Sequence, residues 1–561
     1  MRRVIGSLMV TLAAWVWAGP AQAIFLDHAR TVEVNAKVLG QMSLRMENSD
    51  SGGVSCFPFG AYCQGFTFPT VKTGQMIQER NLVDGEVYHD VKRWAGSGMP
   101  FFDKLGYRFR IKYFYDALYD FGPHQWSSPR TTAQHGNPIP SVQASLYRGI
   151  KTAQHYNTQH DPIWNAYIEG AKGPVFLRVG RQDLAWGETD GFRLLDMIEP
   201  LDSRFGFPLV EDLDDRRIPL WMVRGTINLG TWGPFSNTTI DSYLVPGTID
   251  NQIAPITPSG NPFALANPPG NSIIVKPYKN MGNSRGGGRL IATIANKVTA
   301  SIAHYVTYND LPSARIQVNS YDINPNIIPN AFVVLPDAAF LVELYQQQIT
   351  GASATFAVPF DPYTIIRSEF AQFWDERQFQ TGSNLAPTGP PQQTALGPLP
   401  TGAGTLPTRN VARWMIGADR NVWIRWLNPS NTFLLSGQYF HSYIQGFQDN
   451  MQIAAVRATR FGSPPGVPVY STSFDFANQK ESDVTFTYSV SSQYYHGTIT
   501  PGVFGMYNIR GVNAVVPSVG YQIGSNIQLV LKYAFITGTY NGLGFFRDRD
   551  QLLFRVQYNL S

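Results

Sequence analysis

The strongest constraint on this chain is its last stretch, QLLFRVQYNLS, residues 551–561. Leu552, Phe554, Val556, Tyr558 and Leu560 share one parity, and Arg555, Gln557, Asn559 and Ser561 share the other, interrupted only by Leu553. Such alternation marks a strand with one apolar and one polar face. Soluble chains usually fray into polar residues at the terminus, so a strand kept to the last residue asks for a partner. The pattern recurs in SNIQLVLKYAF (525–535) and LGYRFRIKYFY (105–115). Each run is about ten residues long, the length of a tilted strand crossing a bilayer, with aromatics near its ends where interfacial girdles belong.

Read this way, the sequence predicts strands near 31–46, 77–91, 104–117, 162–171, 174–186, 218–230, 235–245, 287–296 and 298–309. A second set follows near 345–357, 362–375, 410–426, 431–444, 482–494, 496–508, 513–523, 526–538 and 548–560. Short turns such as Lys172-Gly173, Asn296-Lys297 and Phe360-Asp361 alternate with long Gly/Pro/Asn/Ser-rich insertions, among them 47–76, 118–161, 187–217 and 246–286. Short turns on one side and long loops on the other predict a transmembrane antiparallel β-barrel of sixteen to eighteen strands, turns in the periplasm and loops outside. The last strand then closes on the first, because an unpaired edge in lipid leaves backbone groups unsatisfied at several kcal/mol each. A soluble propeller would show a repeat of about forty to fifty residues, and none is found. A sandwich needs no long loops on alternate turns only.

The other end agrees with export. Arg2 and Arg3, an apolar run from Val4 to about Ala18, and an A-x-A exit predict a signal peptide over 1–23, leaving 24–561 as one barrel domain. The alternative, an uncleaved anchor, needs a longer apolar run. Removing Arg2 and Arg3 takes Lys+Arg from 44 to 42 against 40 Asp+Glu, so formal net charge falls from +4 to +2 and nothing points to nucleic acid. The two cysteines, Cys56 and Cys63, stand seven positions apart in a Gly/Pro-rich loop, which in an exported protein predicts a local disulfide rather than a metal site.

Two stretches carry more than alternation. Residues 175–225 hold Gly180-Arg181-Gln182, Trp186-Gly187-Glu188, Pro200, Asp202 and Pro219 followed by Trp221. Residues 415–440 hold Asp419, Arg420, Trp423, Leu427, Asn428 and Gln438. This pattern resembles a proteobacterial outer-membrane barrel family catalogued only as a domain of unknown function. The resemblance spans most of the mature chain. It implies a location in the bacterial cell outer membrane among lipids and lipopolysaccharide, after delivery by the barrel-assembly machinery. Members of that family often occur beside a lipoprotein-sorting-like partner and resistance-nodulation-division transporters, which hints at movement of hydrophobic or lipid-like molecules without fixing a substrate.

The 187–217 insertion is rich in charge: Glu188, Asp190, Arg193, Asp196, Glu199, Asp202, Arg204 and the run Glu211 to Arg217. One reading folds it into the lumen as a constriction; the other leaves it outside, solvated or bridging lipopolysaccharide. Under the first, Glu188, Arg193, Asp196 and Asp202 face the passage and meet arginines such as Arg178. Arg108, Arg110, Lys112, Arg178, Arg425, Lys532 and Arg555 fall on the polar parity of predicted strands and are expected to face the lumen, since a charge on the lipid face costs roughly 2–4 kcal/mol at the midplane, and Arg181 and Gln182 are further lumen or constriction candidates. They form either an anion-preferring wall or a set balanced by neighbouring carboxylates. Arg420 shares the parity of apolar neighbours, which places it at the interface or at a bulge. There is no G-x-S-x-G, no G-D-S and no H-E-x-x-H, so neither catalytic residues nor a metal or other cofactor is expected. The functional expectation is an outer-membrane channel or transporter for small hydrophobic or amphipathic molecules; the competing one is a non-transporting scaffold or adhesin that binds partners through its loops.

Overall fold

A computed structural model describes residues 24–48, 53–56, 63–66, 71–127, 149–156, 161–204, 206–207, 209–258, 261–263, 271–324, 333–378, 389–394, 397–449, 451, 479–539 and 542–560. The signal peptide expected over 1–23 lies outside them. Eighteen strands form the barrel. The first nine are β1 Val32–Arg45, β2 Met76–Asp90, β3 Lys104–Asp116, β4 Ile163–Lys172, β5 Val175–Gln182, β6 Leu220–Trp232, β7 Phe235–Val245, β8 Arg285–Ile294 and β9 Val298–Tyr308. The rest are β10 Gln346–Val358, β11 Asp361–Arg377, β12 Thr408–Val422, β13 Phe433–Ile444, β14 Ser482–Ser492, β15 Ile499–Asn508, β16 Val512–Ile523, β17 Ile527–Thr537 and β18 Gln551–Leu560.

Each strand pairs antiparallel with its sequence neighbours, and β18 closes on β1 from Ala36↔Leu560 to Arg45↔Gln551. Closure is what the terminal strand is for, because it removes the edge that lipid cannot hydrate. Val83, Phe109, Ile111, Leu177, Val179, Ile302, Phe486 and Leu531 stand exposed on the outer face. An apolar belt of this extent is untenable in water, so the barrel sits in the outer membrane with this belt in the hydrocarbon. Leu553, the break in the terminal alternation, points inward and is fully buried in a lumenal apolar cluster.

Long and short connections alternate, with two departures. The turn-side connection 91–103 carries a helical turn, Val91–Ala95, and the loop-side connection after β15 is only Ile509-Arg510-Gly511. β5 stops at Gln182 and β12 at Val422, each four residues short of the sequence expectation, so Arg425 lies in a periplasmic turn rather than on a strand. The loops also hold structure of their own: Asn271–Val275 runs parallel to Val333–Glu343, which pairs antiparallel with Ser313–Asn324. Cys56 and Cys63 lie directly opposite each other in a short two-stranded ladder, the backbone placement a disulfide between them requires.

Candidate functional site

A barrel of this strand number leaves an aqueous channel unless something fills it. Here the connection 183–219 between β5 and β6 turns inward. The turn begins at Gly180, whose φ is +132° and where a Cβ would meet the Ala166 carbonyl oxygen at 2.2 Å. Gln182, fully buried, donates from Nε2 to the Met222 carbonyl at 3.1 Å and fixes the point of departure.

The first half of the insertion packs on the β6–β13 wall. Leu184, Trp186, Leu194, Leu195 and Ile198 share one buried cluster with Met222 of β6, Tyr243 of β7, Tyr305 of β9, Ile349 of β10, Phe373 of β11, Met415 of β12 and Phe440 of β13. Trp186 is the anchor. Its Nε1 donates to Asp241 Oδ2 at 3.1 Å, its ring meets Tyr243 and Tyr305 edge-on at 5.3 and 5.5 Å, and the Arg289 guanidinium lies over it at 5.3 Å. Asp241 also takes Arg224 at 2.9 Å and Arg289 at 3.4 Å, so this buried carboxylate has its hydrogen-bond donors supplied. Gly187 allows a close approach: a Cβ there would lie 2.8 Å from the Asp196 Cβ. The backbone N–H of Glu188 donates to Glu369, its carboxylate accepts from Thr355, and Arg367 donates to its carbonyl oxygen. Arg367 also pairs with Asp419 at 2.7 Å and Asp190 at 2.5 Å, and Gln438 Nε2 donates to Asp190 at 3.1 Å. Trp186, Glu188, Asp419 and Gln438, far apart in sequence, thus belong to one lumenal docking site.

The second half docks on the opposite wall. Asp215 pairs with Lys112 of β3 at 2.8 Å and Lys37 of β1 at 3.7 Å. Asp212 pairs with Lys532 of β17 at 3.2 Å and with Arg555 of β18. Glu211 accepts from Gln41 Nε2 at 2.7 Å and Gln78 Nε2 at 2.9 Å. Phe207 and Val210 join a second apolar cluster with Ile77, Val516, Ala534, Ile536 and Leu553. The insertion therefore bridges the lumen from wall to wall. Toward the periplasm a polar recess of about 440 Å³ remains, lined by residues including Tyr88, Lys104, Arg108, Arg110, Glu169 and Arg178.

Between the halves the insertion folds on itself. Arg217 is held bidentate by Asp196 and reaches Glu199 at 3.2 Å, while Asp202 takes Arg204 at 2.7 Å. Burial and the neighbouring Asp196 push the Glu199 carboxyl up to about 8, with Arg217 only partly opposing. The Glu199 carboxyl therefore keeps its proton at neutral pH. At Asp215 burial acts upward, but Lys112 and Lys37 outweigh it and hold the carboxyl well below its ordinary value.

Several placements differ from the sequence expectation. Arg181 does not face the lumen: it shares the parity of Val179 and turns to the outer rim, where Asp161 pairs with it and the Pro219 carbonyl accepts at 3.3 Å. Arg178 meets none of the insertion's charges, because Glu169 of the adjacent β4 takes it at 2.7 Å. Glu188, Asp196, Asp202 and Arg193 are engaged rather than lining a passage, Arg193 with Asp310 and the Glu199 carbonyl. Arg108 and Arg110 face inward beside Glu86 at 3.5 Å and Asp84 at 2.5 Å, a balanced set. Arg420 sits at the periplasmic rim with Asp361 at 2.9 Å, in an unbroken register. Trp221 faces outward, and Trp423 lies exposed in a periplasmic turn under Arg425 at 5.1 Å. Asn428 is buried and ties that turn to Ser492 at 2.9 Å. Arg367, Glu369, Asp241, Arg224 and Arg289 were not singled out from sequence; the signal for Asp241 and Glu369 was a carboxylate in mid-strand on the inward parity.

A closed barrel with an apolar belt and an inward-folded loop is an outer-membrane β-barrel. The chain belongs to the family described as Protein of unknown function (DUF1302), whose model matches residues 4–560. No curated protein sequence matches it. Among solved structures it is similar to OccAB4 of Acinetobacter baumannii (9% identity, 96% of this chain and 99% of that one, TM-score 0.41). It is similar also to OccK5 (OpdH) of Pseudomonas aeruginosa (8%, 96% and 99%, 0.40) and to the outer membrane channel DcaP of A. baumannii (10%, 96% and 100%, 0.37). The fold assignment rests on the register and closure above, not on these likenesses.

Proposed function

We propose that this barrel is a gated outer-membrane channel for small hydrophobic or amphipathic molecules, shut by the 183–219 insertion in the conformation described. The observation that carries the reading is the two-sided docking of one loop across an otherwise wide lumen. A loop serving only as core has no need of a wall held by exposed-edge ion pairs such as Asp212 with Lys532. Withdrawal of the insertion's second half uncovers Ile77, Val516, Ile536 and Leu553 above a charged recess, an amphipathic lining. The filled lumen favours a second reading, a scaffold that never opens. Deleting residues 191–212 separates the two: the channel reading expects assembled protein with a large, steady conductance in planar bilayers where the parent is closed. An assembled deletion variant that stays closed supports the scaffold.

A further inference from the structure

Three prolines stand within the eighteen strands: Pro362, Pro501 and Pro517. The first two fall within the first three residues of β11 and β15, at periplasmic ends. Pro517 is in the middle of β16. A proline in mid-sheet removes a ladder donor and is otherwise confined to edges and bulges, and a closed barrel has no edge. On the β15 side the ladder runs unbroken through Val503↔Pro517. On the β17 side it stops at Val515↔Phe535 and resumes in the same register at Ser518↔Lys532, leaving Val516 opposite Ala534 and Pro517 opposite Tyr533 unbridged. Every other interruption within the barrel ladders is a register shift. In lipid no water replaces the missing donor, so this seam lacks a ladder bond that nothing on the lipid side restores.

What lies on its two sides differs little in polarity. Pro517 faces lipid beside exposed Val519, Leu531 and Phe535. Val516 and Ala534 face inward and are buried in the cluster that contains Phe207 and Val210 of the insertion. Lys532 Nζ donates to the Val210 carbonyl at 3.1 Å, which seats the insertion behind the seam. When that half withdraws, Asp212 leaves Lys532 and Arg555, and two cations come to line the inner side of an apolar gap.

We propose that the β16–β17 seam at Pro517 is a lateral portal, through which a single-chain anionic amphiphile of the fatty-acid type passes its tail between the lumen and the bilayer. Lys532 and Arg555 receive the head group, and the unbridged pairs admit one apolar chain. The inference rests on the channel reading, and its test keeps the two apart. Protein lacking 191–212 is placed in phosphatidylcholine vesicles with palmitate carrying a mid-chain diazirine, irradiated, and the label is mapped. Label is expected on the lumen-facing peptides over 514–518 and 532–536. Pro517→Val should lower it about fivefold, the factor one restored hydrogen bond supplies. A Val516→Cys/Ala534→Cys pair should abolish it when oxidised and restore it when reduced. Lumenal label that neither change affects overturns the portal, as does its absence from a variant that conducts. A variant that neither conducts nor takes label overturns the channel reading and the portal with it.

Discussion

The two halves of the insertion are held by different forces. Residues 184–199 are set into an apolar wall: Trp186, Leu195 and Ile198 are almost fully buried, and the buried carboxylates of Asp196 and Glu199 share Arg217 at the end of the second segment. Residues 207–217 meet the opposite wall chiefly through carboxylates on lysines and an arginine, with Asp212 half exposed. Dry packing tolerates salt and is lost only with the side chains that make it. Pairs near water weaken with ionic strength. The contrast assigns the first half to the barrel's core and the second to a latch.

The largest effect should come from the anchor. Trp186→Ala removes a buried ring and leaves Asp241 one donor short, which should cost about 3–5 kcal/mol of docking; hydrogen exchange should show lost protection over 184–199. Loss confined to 207–217 would reverse the assignment. Asp215→Asn is expected to cost about 2–3 kcal/mol, because it strips the main partner from fully buried Lys112. Exchange should then rise over 207–217 while 184–199 stays protected, and salt raised to about 1 M should act in the same direction through the half-exposed Asp212 pairs.

The smallest effect is a pH dependence. Docked, the Glu199 carboxyl titrates near 8; released, near its ordinary 4.5. Between those values only the docked state holds the proton, so docking is fully retained below about 4.5 and lost as pH rises through 8. From pH 6.5 to 7.5 the loss is at most about 1.4 kcal/mol, and Glu199→Gln should flatten it. A pH dependence unchanged in that variant would place the titrating group elsewhere.

The wall was legible in the sequence because lipid enforces it. Residues such as Phe109, Ile111 and Leu531 have no choice of side, so the strands are legible from parity together with the turns between them. Arg181 is an exception that the sequence also shows, since it shares the parity of lipid-facing Val179 rather than of Arg178. The docking site was half legible: Trp186, Glu188 and Asp419 stand out as motif residues, and Leu553 and Phe373 as apolar residues on the inward parity. Their partners were not. Arg367 lies 179 positions from Glu188, and nothing local in either segment encodes that the fold will bring them together. Polar residues in a lumen have many acceptable neighbours, whereas apolar ones in lipid have one acceptable side.

The most direct test of the account is single-channel recording of the Asp212→Asn/Asp215→Asn variant beside the parent and Trp186→Ala. The latch assignment predicts a closed parent and discrete, brief openings in the double variant, smaller than the conductance of the 191–212 deletion. A silent double variant together with a Trp186→Ala variant that opens would contradict it, as would a parent that conducts continuously.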